Sequence, residues 1–147
     1  MWSDLLYFAE RAHFARVLAW GAGSVLAGTL ILLFLVVRRA RSRLLLGFGV
    51  ATAFWGAVQL GVALWSLRAL QMRDLEGFTR FDRMLWLNLG LDAGVAAVGI
   101  TLIATGWMLR RSEPLMGAGT ATLVQGTAML VLHGTTLSVL SRLAIGR

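Results

Sequence analysis

The sequence contains no cysteine and no lysine, and it has only one proline. Without cysteine the chain cannot form disulfides, thiolate nucleophiles or cysteine-ligated metal sites. Its positive charges are all arginines, and the formal net charge is +7 at pH 7. Nearly all of these arginines flank long apolar runs, which predicts contacts with lipid phosphates and a role in membrane topology rather than nucleic-acid binding.

Four long apolar runs dominate what is present. Hydrophobic residues make up 58% of the chain, more than the roughly half that is usual in soluble domains. A helix needs about 20 apolar residues to cross a hydrocarbon core of about 30 Å, and backbone groups in lipid must be bonded internally. We therefore predict an all-α, polytopic membrane four-helix bundle, a single transmembrane domain over 1–147 with spans at about 17–37, 44–67, 84–109 and 115–141.

The segment before the first run is predicted to lie at the membrane surface. Within residues 2–15, Trp2, Leu5, Leu6 and Ala9 fall on one face at helical spacing. This pattern predicts a short interfacial N-terminal helix.

The two tight connections carry the arginines that we assign to lipid head groups and topology: Arg38, Arg39, Arg41, Arg43, Arg110 and Arg111. Arginines near span ends favour the cytoplasmic side. The balance around the first span predicts chain termini on the non-cytoplasmic side, in a bacterial inner membrane.

The same tight connections open two similar segments. RSRLLLGFGVATAFWG (41–56) and RSEPLMGAGTATLVQG (111–126) coincide at 8 of 16 positions when offset by 70 residues. This similarity predicts an internal repeat. The two related helical hairpins would be related by a pseudo-two-fold axis along the membrane normal.

Each predicted span contains a polar residue within the apolar run. At 1.5 Å per residue, these residues fall at a similar depth below the surface that carries the termini. The sequence therefore predicts an intramembrane polar layer made of Ser24, Gln59, Asn88, Asp92 and His133.

An aspartate near the middle of a membrane costs roughly 2.5–3.5 kcal/mol and normally finds a partner inside the bundle. We expect Asp92 to pair with His133, either as a structural link between the third and fourth spans or as a protonatable pair in a transport path. No metal or cofactor is predicted, although His133 is a candidate axial ligand for haem or bacteriochlorophyll. We expect His13 to lie at or above the interface, too far away to be a second ligand.

Four features resemble small uncharacterised bacterial proteins with four membrane spans. They are an arginine-rich first hairpin, GFG…FWGAVQLGVAL in the second span, LNLGLDAG in the third and VQG in the fourth. The resemblance covers residues 14–140 and implies the four-span fold. That family has no assigned activity, so the resemblance implies no site or substrate.

Lacking nucleophile constellations and metal clusters, the chain is not expected to be an enzyme. Small residues recur every four positions in the first two spans, which favours close packing with other membrane helices. We expect a non-catalytic accessory subunit that packs into or stabilises a larger membrane complex, such as a photosynthetic or respiratory assembly. Its expected partners are lipids and other membrane subunits or further copies of itself. The alternative is a small oligomeric transporter or proton-coupled carrier that uses Asp92 and His133.

Overall fold

The computed structural model describes residues 2–72 and 74–145, and within these ranges the chain consists of four helices and their connections. The helices are α1 (Trp2–Val37), α2 (Arg43–Arg68), α3 (Leu75–Met108) and α4 (Glu113–Ile145). Each contains a segment long and apolar enough to cross a membrane. The predicted all-α class and the four-helix bundle are confirmed.

The first helix differs from its prediction. Residues 2–15 do not form a separate short helix, because α1 continues from Trp2 to Val37 without a break. The N-terminal part of α1 is held by burial: Leu6 and Phe14 join a cluster with Phe81 of α3 and Leu140 of α4. The predicted Trp2 contact at the membrane surface lies outside the described side chains, so it stays a prediction.

Side-chain hydrogen bonds cap the starts of two helices. Ser42 caps α2 by accepting from the backbone N–H of Leu45, and Asp74 caps α3 by accepting from that of Gly77. Each side-chain oxygen satisfies a backbone donor that the first helical turn leaves unpaired. Both tight connections also place arginine in the left-handed region, with φ of 50° at Arg39 and at Arg110.

Close glycine contacts join the helices of each hairpin. A Cβ at Gly28 on α1 would lie 2.6 Å from the backbone nitrogen of Ala53 on α2. In the second hairpin, a Cβ at Gly99 on α3 would lie 2.5 Å from the backbone nitrogen of Leu123 on α4. Only a residue without a side chain lets two helix backbones approach this closely.

The two hairpins meet through α2 and α4. Near the tight connections, Gly47 lies against the carbonyl of Pro114 and Gly117 lies against the carbonyl of Leu44, so the two helices cross in direct backbone contact. The hairpins also meet where α1 packs against α4, and this contact is much smaller than the one between α2 and α4. A cavity lies between the helices on the side of the crossing that faces the termini.

Candidate functional site

The centre of the candidate site is the contact between Asp92 and His133. The His133 Nδ1 atom lies 2.5 Å from Asp92 Oδ2, a hydrogen bond between α3 and α4. Both side chains are largely buried, at 7% exposure for His133 and 14% for Asp92. The close approach of α3 to α4 beside this pair depends on Gly126, where a Cβ would lie 2.9 Å from the Asp92 carbonyl oxygen. The contact expected from the sequence is therefore present.

His13 extends this pair on the side of α1. Its ring is buried, and its centroid lies 5.0 Å from that of His133. Its Nδ1 atom is 2.8 Å from the hydroxyl of Thr136 on α4, and this hydroxyl also donates to the carbonyl of Leu132. The expectation that His13 lies away from His133 is wrong, whereas its position relative to the membrane interface stays a prediction. The cause is the unbroken α1, which carries His13 into the bundle.

A second polar group lies farther toward the tight connections. Gln125 on α4 donates from Nε2 to the Ser24 hydroxyl at 3.0 Å, and it accepts from Trp20 Nε1 at 2.7 Å. Gln125 and His133 are eight residues apart, about 12 Å along a helix. Ser24 and Asp92 therefore bind α4 at residues eight positions apart, and the single polar layer stays a prediction.

A further bond joins α2 to α4. The indole Nε1 of Trp55 donates to the hydroxyl of Thr122 at 3.2 Å. Together with the Gln125 bonds, it ties α1 and α2 to two buried side chains of α4, Thr122 and Gln125. Burial makes such bonds specific, because an unpaired polar group inside a bundle is costly.

The remaining predicted polar residues, Gln59 and Asn88, line the cavity between the helices. The cavity has a volume of about 340 Å³. Its wall includes one polar or titratable group on each of α1 and α2 and two on each of α3 and α4, the full polar set being His13, Gln59, Asn88, Asp92, Gln125 and His133. Gln59 is 8% exposed, and its Oε1 atom has no hydrogen-bond partner. The site thus contains a residue on the cavity wall whose buried acceptor has no partner.

The rim of the cavity is apolar and exposed. Val58 and Val62 of α2 are 42% and 56% exposed, and Leu91 of α3 is 58% exposed, yet all three line the cavity. The opening therefore lies between α2 and α3, on the outer face of the bundle.

The site does not fit a haem held between two histidines. The rings of His13 and His133 contact each other at 5.0 Å with a tilt of 45°, so no flat macrocycle lies between them. Over residues 2–72 and 74–145, no group of three or more His, Cys, Asp or Glu residues could hold a metal ion. Ligation of a pigment by His133 alone stays untested.

The arginines predicted to contact lipid head groups are exposed in the structure. The six arginines of the tight connections are exposed at one end of the bundle: Arg38, Arg39, Arg41, Arg43, Arg110 and Arg111. Arg111 also stacks over the ring of Trp107, with 4.9 Å between Cζ and the ring centroid. This cation–π attraction helps to hold the Arg111 side chain against the end of α3.

Sequence reasoning missed His13, Gln125 and the buried Glu10. The signal for Glu10 and His13 was present, because Leu6, Glu10, His13 and Val17 recur at helical spacing on one face. Their charge and polarity pointed to a surface segment instead. Gln125 follows Thr122 by three residues on the polar face of α4, which was also readable.

A comparison with protein families decides the relationship of this chain. Residues 16–134 match a family of unknown function, DUF6992. The chain belongs to DUF6992. The predicted relationship to an uncharacterised family without assigned activity is confirmed. For this DUF6992 protein, no curated protein and no solved structure gives a match. The matched region holds Ser24, Asp92 and His133, whereas His13 and Thr136 lie just outside it.

Proposed function

We propose that this protein is a non-catalytic subunit of a larger membrane assembly, to which it presents the outer face of α3. Of the four helices, α3 is the least buried by its own chain: only 6% of its 18-residue apolar segment is buried, against 39% for α4. Because apolar side chains gain little by leaving lipid, exposure alone would not favour association. The composition of the exposed face is what supports the proposal.

Small residues form a continuous stripe on that face. They are all exposed and recur every three or four positions along α3: Gly90, Gly94, Ala97, Thr101 and Ala104. A Cβ at Gly90 or Gly94 would meet no atom within 4 Å, so these glycines are not needed for packing inside the chain. Membrane helices associate through such small faces, because they let two backbones approach closely.

The test compares two leucine substitutions on α3. Gly94→Leu places a bulky side chain in the stripe of small residues. Val98→Leu changes an exposed residue beside the stripe and leaves the small residues themselves unchanged. Each variant is extracted from its native membrane in mild detergent, and the particle is sized with its co-purifying chains. We expect the wild type and Val98→Leu in one large particle of fixed stoichiometry, and Gly94→Leu as a smaller one. A small particle without partners for the wild type would contradict the proposal.

The chains that co-purify in this experiment would identify the host complex. The sequence predicts a photosynthetic or respiratory assembly as the host. We further propose placement in a bacterial inner membrane with both termini on the non-cytoplasmic side. The exposed arginines at the opposite end are consistent with head-group contacts there. Accessibility of a tag at either terminus in sealed vesicles tests this orientation.

We infer as well that the two hairpins are duplicated copies. Contacts at matching positions support this: Gly47 meets Pro114 and Gly117 meets Leu44, each pair related to the other by an offset of 70. Within the hairpins, Gly56 lies against the Gly21 carbonyl as Gly126 lies against that of Asp92. In this correspondence Asp92 stands where the first hairpin has glycine, so the carboxylate belongs to one copy only.

A proton-coupled carrier is the second candidate, favoured by the hydrogen-bonded Asp92–His133 pair on a cavity wall. Paired titratable groups inside a membrane often mark a proton path. Vesicles containing the protein and a trapped pH dye test it. Proton movement should be lost in Asp92→Asn and kept in Asp82→Asn, a change on the same helix outside the cavity. Proton movement that persists in Asp92→Asn would count against this candidate.

A further inference from the structure

The Gln59 Oε1 atom is a buried hydrogen-bond acceptor without a partner inside the bundle. Gln59 lines the cavity, is 8% exposed, and leaves Oε1 without a donor. An unsatisfied buried acceptor is costly, so native bundles normally supply a donor from the protein, a water or a ligand. Here the residue that carries the acceptor lines a space of about 340 Å³, which is large enough for a ring and part of a chain.

The wall of the cavity restricts the occupant to a neutral and largely apolar molecule. The titratable groups that face the cavity are His13 from α1, Asp92 from α3 and His133 from α4, while α2 contributes none. No arginine lines it. A charged head group would lose its hydration without gaining an ion partner of its own, because Asp92 and His133 already bind each other.

The aromatic residues of the wall favour a ring over a simple chain. Phe14, Trp55 and His13 line the same space, and aromatic rings stack with or meet the edges of other rings favourably. The exposed apolar rim at Val58, Val62 and Leu91 offers a tail a direct exit from the bundle.

We propose that this cavity binds a neutral aromatic alcohol, of the phenol or quinol class with an apolar tail, whose hydroxyl donates to Gln59 Oε1. The ring lies among the aromatic residues of the wall, and the tail leaves between α2 and α3. Because one chain lines the whole cavity, this site does not depend on association with other subunits or on proton movement.

The test uses two probes that differ only in the hydrogen-bond donor, 4-hexylphenol and 4-hexylanisole. Binding to the wild-type protein in lipid nanodiscs is measured by calorimetry and corrected for empty nanodiscs. One neutral hydrogen bond changes affinity by about 3- to 10-fold, so we expect the phenol to bind that much more tightly. Equal binding of the two probes, or no binding above that of empty nanodiscs, would overturn the proposal.

Variants assign the preference to Gln59. Gln59→Leu should bind both probes with equal affinity and should fold normally, because it removes an atom without a partner. Val58→Phe should weaken both probes by narrowing the opening, whereas Val139→Phe, a residue of almost equal exposure on α4 (43% against 42%), should not. A phenol preference that persists in Gln59→Leu would place the hydroxyl elsewhere and refute the assignment. If a variant fails to fold, the comparison of the two probes on the wild type still decides the proposal.

Discussion

Adding one methyl group at Gly56 tests whether backbone contact holds the first hairpin together. A Cβ at this position would lie 2.7 Å from the backbone nitrogen of Val25 and 2.8 Å from the carbonyl oxygen of Gly21, both on α1. Ordinary contact begins at 3.4 Å. Backbone atoms of a helix cannot turn aside as a flexible side chain can, so Gly56→Ala must push α1 and α2 apart by several tenths of an ångström.

The expected cost follows from that displacement. A gap of about 0.5–1 Å removes a quarter to a half of the dispersion attraction of each atom pair along the interface. Overpacking of this kind typically costs about 1–3 kcal/mol. Gly61 is the matched control, because it lies on the same helix and a Cβ there would meet nothing within 4 Å. Any change in helix propensity is common to the two substitutions.

The assay is unfolding in mixed micelles with increasing sodium dodecyl sulfate, followed by tryptophan fluorescence. We expect Gly56→Ala to be less stable than Gly61→Ala by about 1–3 kcal/mol, with Gly61→Ala close to the wild type. Equal stability of the two variants would refute the reasoning, because it would mean that the interface yields without loss.

Two further perturbations address the polar pair and the tight connections. Asp92→Ala should lose more stability than Asp92→Asn, by about 1 kcal/mol, because asparagine still accepts a hydrogen bond from His133; equal melting temperatures in detergent would argue against a stabilising pair. Arg110→Gly should raise the melting temperature, since left-handed backbone costs a residue with a side chain about 1–2 kcal/mol and glycine almost nothing. Arg41→Gly removes the same charge from a position without positive φ and should give no such gain, so an equal response of the two arginine variants would contradict the strain argument.

Most of the fold could be predicted because long apolar helices leave a direct trace in the sequence. Uncharged runs of sufficient length gave the four helices, and the isolated Asp92 and His133 gave the α3–α4 contact. Depth counting placed them correctly relative to each other, because both lie nine residues from an arginine on the same side. It did not indicate Gln125, the partner of Ser24, because Gln125 follows no such spacing.

The N-terminal part of α1 could not be assigned in the same way. Depth counting treats Glu10, Arg11 and Arg16 alike as charges outside the membrane, yet Glu10 is buried while the two arginines are exposed. Which charged residue turns inward depends on the neighbouring helices, and α3 and α4 extend far enough to cover that face. The cavity was equally invisible, because it results from the way α2 and α4 cross and not from any one motif.

The lengths of the helices imply that the bundle is built for two solvents. At 1.5 Å per residue, the 36 residues of α1 and the 34 of α3 reach about 50 Å, well beyond a hydrocarbon core of about 30 Å. With the spans that the sequence predicts, at about 17–37 and 84–109, the end near Leu6 and Phe81 projects into water and is held by the hydrophobic effect, whereas the glycine contacts lie in lipid, where that effect is absent. Urea would therefore loosen the projecting end while leaving the embedded part intact, and a change of lipid would act on the embedded part first. A single chain would then come apart in two stages, each set by its own surroundings.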